Sequence, residues 1–345
     1  MRNTRNMRNM RNKLGLLGGF VCILTLSFTS CKNGKGQPEV VDDKPAVTVK
    51  VPAFNRDSAF QYVSKQTEFG PRVPNTAAHQ ACKNWLSAKL KGYGLEVIEQ
   101  NFTPTTFDGK KLNSTNIIGQ YRPELSRRIL LAAHWDSRPF ADSPDFTGDK
   151  TKPVMGADDG GSGVGVLLEI ARQLQTNPVD IGVDIVFFDA EDYGDGGENA
   201  KPDTWCLGSQ HWARNLHYKN ETRPEYGILL DMVGAPAARF GFDDVSYERA
   251  GDVLQKVWGL AKEMGYGQYF VEEPTGGITD DHVYVNYIAG IKMIDIINKP
   301  AASKTGFVSH WHTDGDTMDK IDRYTLRAVG QVLLAVIYRE FNGEL

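Results

Sequence analysis

Two kinds of apolar spacing alternate along this chain from residue 58 onward. The segments RRILLAAHWD (127–136), VDIVFFDAED (183–192), YGILLDMVG (226–234) and GIKMIDIIN (290–298) are apolar almost without a break until polar residues end them. Strands read this way when both faces are covered. Between them lie SGVGVLLEIARQL (162–174), AGDVLQKVWGLAKEMG (250–265) and DRYTLRAVGQVLLAVIYREF (322–341), whose apolar residues recur at helical spacing. A helix-like pattern also runs from Ser58 through Phe60, Val63 and Phe69. Asn75 and Thr76 are placed to cap a second helix. LEVIEQNFTPTTF (95–107) alternates and TNIIGQY (115–121) is strand-like. Buried strands alternating with amphipathic helices predict an α/β fold: one domain over 55–345, with a mixed, mostly parallel central sheet flanked by helices.

The first thirty residues do not belong to that pattern. Arg2, Arg5, Arg8, Arg11 and Lys13 precede the apolar run LGLLGGFVCILTLSF, which ends in the small residues Thr29 and Ser30. A basic segment, a short apolar segment and a small-residue end describe an export signal. Cys31, directly behind, is placed as the lipidated cysteine of a bacterial lipoprotein. Phe28, three residues before it, replaces the usual leucine. Residues 31–54 then form a polar tether, and the mature chain is expected outside the cytoplasm, periplasmic and anchored to a membrane by lipid. Cys82 falls on the apolar stripe Ala78, Cys82, Trp85, Leu86, Leu90 and reads as packing. Neither Cys82 nor Cys206 has metal-ligand spacing.

Composition narrows the class only a little. The 345 residues are 41% hydrophobic and 24% charged, ordinary for a chain with a large core, and the net charge of −4 gives no reason to expect a nucleic-acid partner. A monomer is the simplest expectation.

The chemistry lies at the ends of the apolar runs. His134 and Asp136 end one, Glu191 and Asp192 a second, Asp231 a third, and Asp158 and Asp159 open a helix. In open α/β sheets, sites form outside the carboxyl ends of strands. Acids gathered at such an edge repel one another and lose hydration unless a cation neutralises them. Carboxylate and imidazole ligands without thiolate suit zinc with an open coordination position. Each residue also has a plainer reading. Asp158 or Asp159 could cap the helix that follows. Asp189 reads as a turn acid, and Trp135 and Trp205 as packing. His310 reads as a neighbour of the site rather than a ligand.

The succession HWD, GADDGGSG, FFDAED, LLDMVGA, TDDH and a late WHT resembles the zinc aminopeptidase and glutaminyl cyclase superfamily, from about Ser58 to the last helix. FFDAED, LLDMVGAP, DDH and WHT are most similar to glutaminyl cyclases. That resemblance implies one zinc held by Asp159, Asp192 and His312, with Glu191 moving the proton. It also implies that Asp231 and Asp281 act as an acid pair, that Trp205 and Trp311 are substrate walls, and that His134 is a neighbouring or vacant ligand. The metal position at Asp192 is usually Glu in that superfamily, so the shorter side chain bears on metal affinity. The implied reaction closes an N-terminal glutamine of a peptide or protein to pyroglutamate and releases ammonia. The aminopeptidase branch uses the same residues with two zinc ions, adding His134 and Asp231 as ligands and cutting a peptide bond. A metal-dependent binding lipoprotein without turnover is the non-enzymatic alternative.

Overall fold

Residues 49–197, 200–218 and 222–345 are described in the computed structural model; the export signal and Cys31 lie outside them. A six-stranded sheet forms the centre, built from β1 (Glu96–Phe102), β2 (Ser114–Tyr121), β3 (Arg128–His134), β4 (Gly182–Phe188), β5 (Gly227–Asp231) and β8 (Met293–Ile297) in the order β1-β2-β4-β3-β5-β8. β1 and β2 run antiparallel as an appended hairpin, and β2 meets β4 antiparallel. β4, β3, β5 and β8 are mutually parallel. Every residue of β3, β4, β5 and β8 is buried, while β1 is largely open to solvent. The unbroken apolar runs therefore mark strands covered on both faces.

Helices α1 (Arg56–Glu68), α2 (Ala77–Gly92), α3 (Gly161–Thr176), α5 (Asp244–Glu263) and α7 (Arg323–Asn342) share the larger core cluster with the sheet. Asn55 caps α1 by accepting the N–H groups of Asp57 and Ser58, and Thr76 caps α2 by accepting that of His79. A smaller cluster on the opposite face holds Phe188, Trp212 of α4 (Leu207–Arg214) and Val285. α3 is pressed close between neighbours. A Cβ on Gly163 would sit 2.6 Å from the Leu230 carbonyl oxygen, and one on Gly165 would sit 2.5 Å from Val63 Cγ2.

Three elements had no apolar signal in the sequence: α4, the short α6 (Asp281–Tyr284), and a two-stranded parallel ribbon of β6 (Phe240–Asp243) with β7 (Phe270–Gly276). Each is too short, or too polar on its exposed face, for a period to emerge. The tether reading also stops short of residue 54. Phe54 is buried and its N–H donates to Gln331 Oε1 at 2.9 Å, while the Val49 N–H donates to Asn342 Oδ1 at 3.0 Å. Residues 49–54 thus lie along α7 as part of the fold. Cys82 and Cys206 are both buried free thiols. No helix among the described residues is long and apolar enough to cross a membrane.

Candidate metal centre

Parallel register brings the carboxyl ends of β3, β4 and β5 side by side, with His134 level with Phe188 and Ala132 level with Leu229. His134 and Asp231 are the last residues of β3 and β5, and the turn beyond β4 delivers Glu191 and Asp192 to the same edge. Asp159 arrives from the turn before α3, and His312 from the loop between β8 and α7. Two further carboxylates fix these turns. Asp136 accepts the N–H of Glu191 at 3.1 Å and that of Asp192 at 3.2 Å. Asp316 accepts the N–H of Asp158 at 2.8 Å and that of Asp159 at 3.1 Å. Gly160 follows with φ +79°, and a Cβ there would meet His134 Cε1 at 2.8 Å, so the turn admits only glycine.

Two buried triads share Asp159. In one, His134, Asp159 and Asp231 have donor atoms within 4.8 Å of one another; in the other, Asp159, Asp192 and His312 do. They differ in how well they satisfy themselves. His134 Nε2 stands 3.0 Å from Asp159 Oδ1 and 3.3 Å from Asp231 Oδ1, so the first triad closes through its imidazole. In the second, His312 Nε2 is 3.0 Å from Asp192 Oδ1 and 3.7 Å from Asp159 Oδ2, yet both Asp192 oxygens and Asp159 Oδ2 lack a hydrogen-bond partner. Buried carboxylate atoms with free lone pairs are costly unless something positive meets them. A zinc ion fits this donor set, which offers two carboxylates and one imidazole.

His312 is held by stacking. Its ring lies 3.7 Å from that of Trp311 and 5.8 Å from that of Trp205, with interplanar angles of 21° and 11°. Trp205 carries the Arg138 guanidinium on its ring at 4.4 Å. Arg138, fully buried, donates to the carbonyls of Asp192 and Gly194 at 2.9 Å and to Asp142 at 2.6 Å, while Asp142 faces His312 Nδ1 at 3.5 Å. The orientation of His312 is therefore set on its far nitrogen, as metal-binding imidazoles usually are.

The mouth of the site is a cavity of about 390 Å³ walled by Trp205, Ile278, Phe307 and Trp311, with Asp159, Glu191, Asp192, Asp231, Asp280 and His312 at its floor. This is a size and lining suited to one small side chain or ligand. Glu191 adjoins Asp192, and its Oε1 accepts from the Cys206 thiol at 3.3 Å. Burial raises the Glu191 pKa well above the ordinary carboxylate range; His134 opposes the rise, and the Asp192, Asp280 and Asp281 carboxylates add to it. Burial, with Asp159 and Asp280 nearby, pushes Asp231 up to about 8 against the pull of His134. Burial disfavours the charged ring of His134, but Asp136, Asp159 and Asp231 outweigh it and raise its pKa.

Of the residues expected from the sequence, Asp159, Glu191, Asp192, Asp231, His134, Trp205, Trp311 and His312 all converge here. Asp281 does not reach the cavity wall, and its neighbour Asp280 does. Asp280 is the extended residue that caps α6 and Asp281 is the first helical one, so their side chains leave in different directions. Adjacent identical residues carry no signal that could separate them. His310 sits 2.8 Å from Asp158 Oδ2, beside the site. Asp189 is a fully buried partner of His79 at 2.9 Å rather than a simple turn acid. Asp142, Arg138, Asp316 and Cys206 escaped sequence reasoning, since nothing local ties them to strand ends.

Comparison with known proteins agrees with this geometry. Aminopeptidase YwaD of Bacillus subtilis is 30% identical over 248 residues, covering 67% of this chain and 46% of its own length; the chain thus spans about half of that relative. Among solved structures, a Zn-dependent exopeptidase of Parabacteroides distasonis is 52% identical with a TM-score of 0.81, covering 84% of this chain and 99% of its own. Tannerella forsythia glutaminyl cyclase is also 52% identical, with a TM-score of 0.80 and coverage of 83% and 99%. The model of peptidase family M28 matches residues 116–337, a span that contains both triads, and the chain belongs to that family.

Proposed function

We propose that this chain is a zinc-dependent glutaminyl-peptide cyclotransferase, converting N-terminal glutamine of peptides and proteins to pyroglutamate with release of ammonia. The observation that carries the single-metal form is the uneven satisfaction of the two triads. Three unpartnered carboxylate oxygens, both of Asp192 and Oδ2 of Asp159, gather around His312. The His134 triad adds to the shared Asp159 oxygen only the unpartnered Nδ1 of His134, whose Nε2 reaches Asp159 and Asp231. Its similarity to Tannerella forsythia glutaminyl cyclase supports the reaction.

Asp159, Asp192 and His312 would hold the zinc, which when bound supplies Lewis-acid charge opposite the γ-carbonyl oxygen. The other steps fall to the protein. The substrate's α-amine attacks its own γ-amide carbon; the N–C bond of the ring forms, and the bond to the amide nitrogen breaks. Glu191 takes the proton from the attacking amine and returns it to the departing nitrogen. A positioned carboxylate of this kind contributes roughly 10²–10⁴-fold in rate. A dication beside Glu191 favours the charged form that a base needs, against the upward push of burial. Asp231 and Asp280, both on the cavity floor, form the acid pair that orients the amine. Trp205 and Trp311 keep the glutamine side chain folded and exclude water.

A second reading has its own support. His134, Asp159 and Asp231 are close enough to take a second ion, and the Parabacteroides distasonis relative is a Zn-dependent exopeptidase. With two ions and Glu191 activating water, the chain would release N-terminal residues. Mass spectrometry of a glutamine-headed peptide incubated with the zinc-loaded fragment 49–345 separates the two. Loss of one ammonia from an intact peptide establishes the cyclase, and release of free glutamine establishes the aminopeptidase. We place the enzyme outside the cytoplasm, held to a membrane by a lipid on Cys31, because the basic, apolar and small-residue segments precede that cysteine in the order an export signal requires.

A further inference from the structure

Behind Asp280 lies a buried chain of polar groups with no part in the mechanism above. Asp295 in β8, His282 in α6 and Asp243 at the end of β6 are each at most 1% exposed. His282 Nε2 is 3.0 Å from Asp243 Oδ1, and its Nδ1 is 3.7 Å from Asp295 Oδ2. Asp280, His282 and Asp295 have polar atoms within 4.8 Å of one another. Five atoms in this chain have no hydrogen-bond partner: Asp243 Oδ2, Asp280 Oδ2, His282 Nδ1 and both oxygens of Asp295. So dense a set of unpartnered buried atoms is unusual, and it demands a charge arrangement that makes it tolerable.

Three carboxyl groups and one imidazole cannot all be ionised in such a place without a large cost. Asp243 meets His282 Nε2 on one oxygen and also caps α5 by accepting the N–H groups of Val245 and Ser246. Asp280 and Asp295 stand close enough to share one proton, as two facing carboxyls do. Of these four residues only Asp280 lines the cavity, whose wall also carries Lys299.

We propose that His282, braced by Asp243, is a positioning residue that holds Asp295 against Asp280 and so fixes a single oriented carboxylate for the substrate's α-amine. It accounts for the histidine of the TDDH segment, which is too deep to touch substrate. The inference rests on the amine-orienting part of the proposed function.

The test is done in a Glu191→Gln background, where turnover of the probe is slowed enough for binding to be read. Calorimetry on the zinc-loaded protein compares glutaminyl-phenylalanine amide with its N-acetylated form. The parent should prefer the free amine by about tenfold or more, the worth of a hydrogen bond to a charged group. Adding His282→Gln should remove most of that preference while zinc content stays at the parent's level. Adding Asp243→Asn instead should weaken it in the same direction, which keeps the test open if His282→Gln fails to fold. A folded, zinc-loaded double variant that keeps the full preference overturns the proposal, as does a parent with no preference. Turnover of glutamine peptides by the unmodified enzyme is scored separately, so a failure of the cyclase reading is told apart from a failure of this one.

Discussion

Asp136 lies behind the cavity rather than on its wall, yet it is the most exacting test of how the centre is built. Its carboxylate is fully buried and accepts the backbone N–H groups of two consecutive residues, Glu191 and Asp192, one oxygen to each. Asp136→Asn keeps the shape and leaves one oxygen. The amide nitrogen that replaces the other oxygen meets a backbone N–H, donor against donor. One hydrogen bond to a charged group is lost, worth about 1.5–3 kcal/mol, and one buried donor is stranded at about 1–3 kcal/mol. The expected destabilisation is therefore roughly 2.5–6 kcal/mol by urea unfolding of the zinc-free protein. Because the turn carries both the proposed base and a proposed ligand, turnover and zinc affinity should fall together. The control is Asp180→Asn, which removes the exposed partner of Arg122 and should cost less than about 1 kcal/mol. An Asp136→Asn protein that loses under about 1 kcal/mol and keeps full kcat/KM would refute the idea that this carboxylate holds the turn.

Other expectations concern the centre itself. Glu191→Gln should retain zinc, measured by metal analysis, while turnover falls by roughly 10²–10⁴-fold; retained activity would remove Glu191 from the proton path. His312→Ala should lose both zinc and activity, and a variant with full zinc content would mean that the ligand lies elsewhere. In the zinc-free protein, Asp316 is pushed up to about 7 by burial and by Asp158 and Asp159, and Asp231 up to about 8. A carboxyl raised in the fold stabilises it fully below its unfolded pKa of about 3.9, and that contribution is lost as pH rises through the folded value. Zinc-free protein should thus lose stability between about pH 4 and pH 8, and the gain in melting temperature on adding zinc should grow over the same range. A zinc effect independent of pH would contradict this.

The parts legible in the sequence were those with a repeating physical signature. Strands buried on both faces announced themselves as unbroken apolar runs, and their polar ends located His134, Glu191, Asp192 and Asp231. What stayed hidden was chosen by orientation rather than by spacing. Asp280 and Asp281 differ only in which one caps α6. Arg138 reaches the site across its own loop, and Asp316 comes from a turn far along the chain. The ribbon of β6 and β7 was invisible because β7, FVEEPTG, has an exposed acidic stretch and a proline in place of an alternation. Cys206 had no metal-ligand spacing to single it out, and only the fold places its thiol against Glu191.

The stacking of two tryptophans on His312 also gives the protein an optical property. Indole fluorescence is quenched by a protonated imidazole in ring contact and responds when that proton is replaced by a metal ion. Trp311 and Trp205 both lie parallel to the His312 ring, one of them at 3.7 Å. Loading of the centre should therefore change the emission of the unlabelled protein, in step with bound zinc and absent from His312→Ala. The protein carries its own reporter of occupancy, in the same rings that wall its pocket.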